Sequence, residues 1–251
     1  MSGATSLAFV LARRPFREHD LQVTLLREDG CRMEAFAPSG QRSRQRYGAS
    51  LSTLVLYRIG WTSGRAGPRL DDARPERAWP GLLLTLARQT AAQCGTAVAL
   101  GLAEPIATDP ALFTLLHGLY DHLAEDTLPG APAALLARFV LEALDVTGHA
   151  PALDRCARCE TPAPPASAVT LDPAAGGVVC RGCGGGRYRL SAPDRADLLS
   201  LLGGDLGRGG ATSLQVATVL LGPFARESAE GIDRARELLR EALVTGRVGS
   251  G

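Results

Sequence analysis

The chain has 251 residues, 45% of them apolar and 21% charged, a composition typical of soluble globular proteins and a length that allows two domains. All 27 cationic side chains are arginine, which excludes any mechanism that needs a lysine, such as P-loop phosphate binding, Schiff-base chemistry or a Ser–Lys dyad. The formal net charge of +1 conceals a split: residues 1–80 carry thirteen Arg against eight acids, and residues 81–150 only two Arg against seven acids, so a basic module precedes an acidic one.

Residues 7–12 are apolar and strand-like. The run is too short for a secretory signal, and Arg13 and Arg14 follow it rather than precede it. No apolar run reaches the roughly 18 residues that span a bilayer, so a cytoplasmic protein without a membrane partner is expected. Pro15 breaks the first strand. Residues 21–27 read as a second, and Glu28-Asp29-Gly30 as a hairpin turn, since Asp-Gly supplies the positive φ of a tight turn. Residues 31–38 return as a third strand. Next comes a loop in which Arg42, Arg44 and Arg46 alternate with polar residues and Tyr47 closes the run. Between residues 35 and 70 there are six Arg and no acid. An unneutralised positive stretch suits a phosphate backbone, although many short basic runs are only solvated loop. Residues 51–59 form the strongest β run, and 65–71 a fifth strand. Five short strands with turn residues between them predict a small, partly open barrel, a common binder of single strands. Phe36, Tyr47, Tyr57 and Trp61 are its few aromatics, at least half of them expected in the core.

From Pro75 onward the pattern turns helical. Leu82, Leu83, Leu86, Ala87, Thr90 and Cys94 recur at helix spacing. Asp109-Pro110 opens a second helix with Leu112, Phe113, Leu116, Leu119, Tyr120 and Leu123 on its face. A third covers residues 131–147 and ends at Gly148. Residues 153–188 are different in kind: Cys156-x-x-Cys159, then 20 residues rich in Pro, Ala and Gly, then Cys180-x-x-Cys183. Two such pairs predict a four-thiolate structural zinc ribbon, with disulfides or a redox pair as alternatives. Four thiolates complete the coordination, so the zinc would not be catalytic. Cys31 and Cys94 stand alone and are expected to be buried. Ser191 to Asp194 reads as a cap into a helix carrying Leu198, Leu199 and Leu202, and one or two further helices finish the chain. The fold class is therefore α+β: an N-terminal five-stranded β-barrel over 1–74, a helical domain in two parts over 75–152 and 189–251, and an inserted four-cysteine zinc-ribbon-like module over 153–188.

No catalytic constellation emerges. The chain lacks Gly-x-Ser-x-Gly, His-Glu-x-x-His and a dinucleotide glycine fingerprint. His117 and His122 lie five apart, which does not align them for a metal, and His19 beside Glu18 and Asp20 is only a weak metal or acid–base hint. The expectation is a protein that is not an enzyme.

Three blocks resemble the RecO family of bacterial DNA repair and recombination mediators, over about residues 8–190. The first is residues 9–26, with Glu18-His19-Asp20 before the second strand. The second is Gly40 with Arg42, Ser43 and Arg44, running to Leu51. The third is Arg138-Phe139, then Gly148 and Leu153-Asp154-Arg155-Cys156-Ala157-Arg158-Cys159. The resemblance implies an OB-fold domain, a helical domain and a zinc element that some members lack. It implies binding to single- and double-stranded DNA, annealing of strands coated by single-strand-binding protein, work with RecR to load RecA, and a nucleoid-associated location. It places Arg42, Arg44 and Arg46 on the DNA face, with Arg14 and Arg17 beside them. Arg138 and Phe139 match part of an Arg-Arg-Phe element that takes up the tail of single-strand-binding protein; the first Arg position here is Ala137. The family's closing Ser-Arg-x-x-Leu element is missing, and its basic loop usually contains Lys where this one uses Arg alone. The competing reading is a zinc-ribbon adaptor that binds proteins and uses its basic loop for solubility; a third is a nuclease.

Overall fold

The computed structural model describes residues 3–47, 51–65, 67–106, 109–125, 131–164, 167–206 and 210–245. Five strands close a barrel in the order β1-β2-β3-β5-β4: β1 (Gly3–Phe16), β2 (Asp20–Arg27), β3 (Arg32–Ala37), β4 (Val55–Gly64) and β5 (Gly67–Ala78). All neighbours are antiparallel except β3 and β5, which close the barrel in parallel with Phe36 opposite Arg69. This is the expected OB-like barrel. The Asp29-Gly30 turn forms as read: Gly30 has φ 85° and its N–H donates to the Arg27 carbonyl at 2.9 Å.

β1 and β5 are longer than the sequence suggested, and β3 is shorter. β1 passes through Pro15, which pairs with Leu21 near the hairpin end, and a register shift between Val10 and Ala12 absorbs its bend. β5 runs on to Ala78, so the helical signal read from Pro75 begins too early. Pro75 faces Tyr57 at a register shift, a position where a missing N–H costs the ladder little. β4 begins at Val55; Leu51 and Leu54 precede it with φ of 49° and 65°.

The continuous apolar run in β1 has a physical cause: both of its faces are buried. Ala8 and Val10 point into the barrel with Val23, Leu25, Ile59 and Leu70. Phe9 and Leu11 point outward into the core shared with the helices. There the Phe9 ring meets Phe113 at 5.0 Å, Tyr120 at 5.4 Å and Trp79 at 6.0 Å between centroids. Asp121 ties this joint together, accepting hydrogen bonds from Arg77 at the end of β5 and from the Trp79 indole. The β2–β3 turn also abuts the helices: the Arg32 N–H donates to the Glu104 carbonyl at 3.0 Å.

A 3-10 turn over Pro80–Leu83 leads into α2 (Leu86–Leu102), followed by α3 (Ala111–Glu125) and α4 (Ala131–Val146). α2 starts four residues later than the apolar spacing implied; Leu82 is buried in the preceding turn, while Leu83, Leu84 and Leu86 are exposed. Cys94 is buried as expected, but Cys31 is only partly so, with its Sγ 2.9 Å from the Pro105 carbonyl. After the cysteine module come α5 (Ala192–Leu202), α6 (Ala211–Leu221) and α7 (Arg226–Thr245). Ser191 caps α5 as read, its hydroxyl accepting from the Asp194 N–H. Among the described residues no helix is long and apolar enough to cross a membrane.

Candidate nucleic-acid interface and metal centre

The basic segment is built by its neighbours rather than by its own propensity. The Ser39 N–H donates to the Asp20 carboxylate at 2.8 Å and the Gln41 N–H to the His19 carbonyl at 3.0 Å, which fastens the segment to the β1–β2 turn. It then forms a short helix, α1 (Arg44–Tyr47), where a loop was expected. Tyr47 has 0% exposure; its hydroxyl lies 3.0 Å from the Leu70 carbonyl and 3.2 Å from that of Pro38. Burial pushes its phenol pKa up, opposed by the Arg46 and Arg69 charges nearby. Tyr47 is thus an anchor, and the arginines before it are presented outward: Arg42 and Arg46 are exposed, while the Arg44 side chain lies outside the described residues.

Beside this segment the barrel wall opens into a groove of about 830 Å³. Phe16, Arg17, Phe36, Arg65 and Arg69 line it. Phe16 and Phe36 meet edge to face at 5.7 Å, and the Arg17 guanidinium lies over the Phe16 ring at 5.4 Å. Arg17 holds φ 57°, a left-handed conformation at the tip of the β1–β2 hairpin. Gln22 lines the same wall and links the exposed Arg14 (3.1 Å) to Glu34 (3.0 Å). Arg69 faces Asp71 at 3.8 Å, too long for a strong pair. Aromatic faces interleaved with guanidiniums are what a single strand needs, bases on the rings and phosphates on the charges.

The structure therefore brings Arg17, Arg14 and the anchored basic segment to one end of the barrel. It adds Phe16, Arg65 and Arg69, which the sequence reading did not single out. The signal was present in the two hairpin tips, but only closure of the barrel through β3 and β5 brings them together. Of the aromatics, Tyr47 and Tyr57 are core, as half were expected to be; Trp61 sits under Arg27 at 5.1 Å, away from the groove. Arg138 and Phe139 separate. Arg138 is partly exposed and paired with Glu142 at 2.7 Å, whereas Phe139 is 3% exposed in the helical core. Phe139 is therefore a packing residue and not a surface contact.

The second site is the cysteine cluster. The first pair sits on a turn in which the Glu160 N–H returns to the Cys156 carbonyl at 2.9 Å. The second sits on a 3-10 turn, with the Cys183 and Gly185 N–H groups donating to the Cys180 carbonyl at 3.0 Å. The Ala157 N–H donates to the Val178 carbonyl at 2.7 Å and locks one turn to the other. A three-stranded sheet supports them, in the order β7 (Gly177–Val178), β6 (Val169–Asp172), β8 (Tyr188–Leu190). The four Sγ atoms all lie within 4.8 Å of one another, and those of Cys159 and Cys180 are 3.7 Å apart. Tetrahedral thiolates at about 2.3 Å from zinc stand about 3.8 Å apart, so the cluster fits such an ion. The chemistry agrees. The Cys180 N–H donates to Cys156 Sγ at 3.4 Å and holds that thiol down to about 6. The Thr161 hydroxyl lowers Cys159 in the same way. Hydrogen bonding to Cys159 and Cys180 pushes Cys183 up to about 12.

A residue the sequence reading passed over carries this module. Arg195 on α5 is 1% exposed, and its guanidinium donates to the carbonyls of Leu153 (2.7 Å), Pro164 (2.7 Å) and Ala163 (3.0 Å). Both flanks of the first cysteine turn are thereby clamped to the helical domain.

Comparison with known proteins agrees with this architecture. The family described as "Recombination protein O N terminal" matches residues 1–78, and "Recombination protein O C terminal" matches 83–225. A "DNA repair protein RecO" of Anaeromyxobacter dehalogenans is 33% identical over 237 residues, covering 92% of this chain and 89% of that protein. Proteins of the same description from Frankia casuarinae and Thermobifida fusca are 34% and 32% identical, each covering 78% of this chain and 80% of its own length.

Proposed function

The chain belongs to the RecO family of DNA repair proteins, and from that premise we propose that it is a non-enzymatic DNA-binding mediator that anneals complementary strands. The observation that carries this reading is the barrel groove, where Phe16 and Phe36 stand among Arg17, Arg65 and Arg69 beside the anchored Arg42 and Arg46. The physical work is electrostatic: arginines replace counterions on the phosphates and lower the repulsion between two approaching strands. Arginine suits this role because its planar fork reaches phosphate oxygens in pairs. The ion at Cys156, Cys159, Cys180 and Cys183 is zinc and structural, since four thiolates leave no open position for chemistry. The partners are single- and double-stranded DNA, single-strand-binding protein and RecR, and the outcome is RecA loading. Uptake of the tail of single-strand-binding protein on α4 rests on Arg138 alone.

The test is binding of a labelled single-stranded oligonucleotide across a salt series. Wild type is compared with Arg17→Ala/Arg65→Ala/Arg69→Ala and with Arg42→Ala/Arg44→Ala/Arg46→Ala. Each triple variant is expected to weaken binding for every sequence and to flatten the slope of log K against log salt by about 2, at roughly 0.7 per phosphate contact. Annealing of complementary strands should slow in parallel. Wild-type slopes in both variants refute the groove. No binding at low salt refutes the DNA reading and favours the adaptor.

A further inference from the structure

We propose that the cysteine module carries a second contact surface for single-stranded nucleic acid, separate from the barrel groove. The inference rests on the annealing function proposed above, which requires one molecule to hold two polyanions.

The argument starts from charge. Residues 153–190 contain five arginines and three acids. Every acid is already engaged: Asp154 and Glu160 by Arg155, at 3.5 and 2.9 Å, and Asp172 by Arg158, at 2.9 Å. Arg181, Arg187 and Arg189 are exposed and have no carboxylate partner among the described residues. Arg181 thus stands on the second cysteine turn, Arg187 just before β8 and Arg189 on β8, all three without a carboxylate to neutralise them.

Shape adds to charge. Arg181 and Arg189 border an open groove of about 580 Å³, with Pro162, Val169, Val178 and Val179 among its lining. Arg189 is paired with Thr170 across β8 and β6, which places both on the groove face of the sheet. A wall of valine and proline beside guanidiniums offers apolar surface to bases and charge to phosphates. An acidic peptide would also satisfy the charges. Charges spaced from the second cysteine turn, through Arg187, to β8 better match a chain with one negative charge per unit, and the barrel pairs Arg with apolar surface in the same way. The thiol cluster ties the second cysteine turn to the first, whose flanks Arg195 clamps to the helical domain, so Arg181 is presented from an anchored turn.

The test uses the full chain and two non-complementary labelled oligonucleotides, one immobilised and one free, scoring capture of the free strand by bound protein. Wild type should capture it. Arg181→Ala/Arg187→Ala/Arg189→Ala should reduce capture at least tenfold, and hydroxyl-radical footprinting of the wild type should show protection across residues 181–189 when the second strand is added. A thermal melt matching wild type would confirm that the exposed substitutions leave the fold intact; should it not, the footprint decides alone. Wild-type capture by the triple variant, or no protection at 181–189, overturns the proposal while leaving the barrel reading in place. Wild type that binds no oligonucleotide at all overturns both. Displacement of a bound acidic peptide, but not of DNA, by these substitutions would assign the surface to a protein partner and also overturn the proposal.

Discussion

The barrel and the cysteine module reach rigidity by opposite routes. The barrel closes its hydrogen-bond ladder on itself and fills its interior with apolar side chains, from Ala8 and Val10 on β1 to Leu70 and Ala73 on β5. The module has short strands and few buried apolar residues, among them Leu153, Leu171, Val178 and Leu190, and these join the helical core rather than one of their own. It depends on point attachments, four sulfurs and one arginine. The barrel should therefore tolerate loss of any single contact, and the module should not.

The largest effect should come from Cys156→Ala. On the proposal that the four thiolates hold a structural zinc, loss of one ligand collapses an affinity of about 10 kcal/mol or more, which is the folding energy of the segment. Metal content and protease sensitivity of residues 153–190 check it; a variant with wild-type yield and resistance would mean that the module folds without its ion. Next is Arg195→Ala, which takes the donor from the buried Leu153 carbonyl and from the less buried carbonyls of Ala163 and Pro164 and should cost about 3–5 kcal/mol, read as a drop in melting temperature. Gly30→Ala probes a tight joint between the barrel and the helices. A Cβ there would lie 1.9 Å from the Asp109 carbonyl oxygen on a residue at φ +85°, so a loss of about 2–4 kcal/mol is expected in denaturant unfolding. The smallest should be Tyr47→Phe. It removes one hydroxyl with two carbonyl partners and should cost about 1–2 kcal/mol. Its informative readout is DNA affinity, which should weaken as the Arg42–Arg46 segment loosens; unchanged affinity would mean that the segment is held by Asp20 and His19 alone.

What could be read from the sequence follows the same division. Features set by neighbours in the chain were readable: the Asp29-Gly30 turn, the Ser191 cap and the two Cys-x-x-Cys turns. Features set by closure were not. Phe16 and Arg69 lie far apart in the chain and share a wall only because β3 pairs with β5. Arg195 sits in Pro193-Asp194-Arg195-Ala196-Asp197, which reads like any solvated first turn; that its side chain is buried follows from a loop well upstream, at Leu153 and Pro164. Phe139 entered as a contact through the family resemblance alone, while its place among the apolar residues of α4 already pointed inward.

β1 has one more consequence. Its alternate residues serve two cores, Ala8 and Val10 the barrel and Phe9 and Leu11 the helices, with Leu26 and Leu56 joining the latter. The barrel is thus a domain by topology but not by inheritance. Transplanted alone, it would present an apolar face of Phe9, Leu11, Leu26 and Leu56 to water and self-associate, so exchanging it for another barrel requires matching changes in the helices behind it.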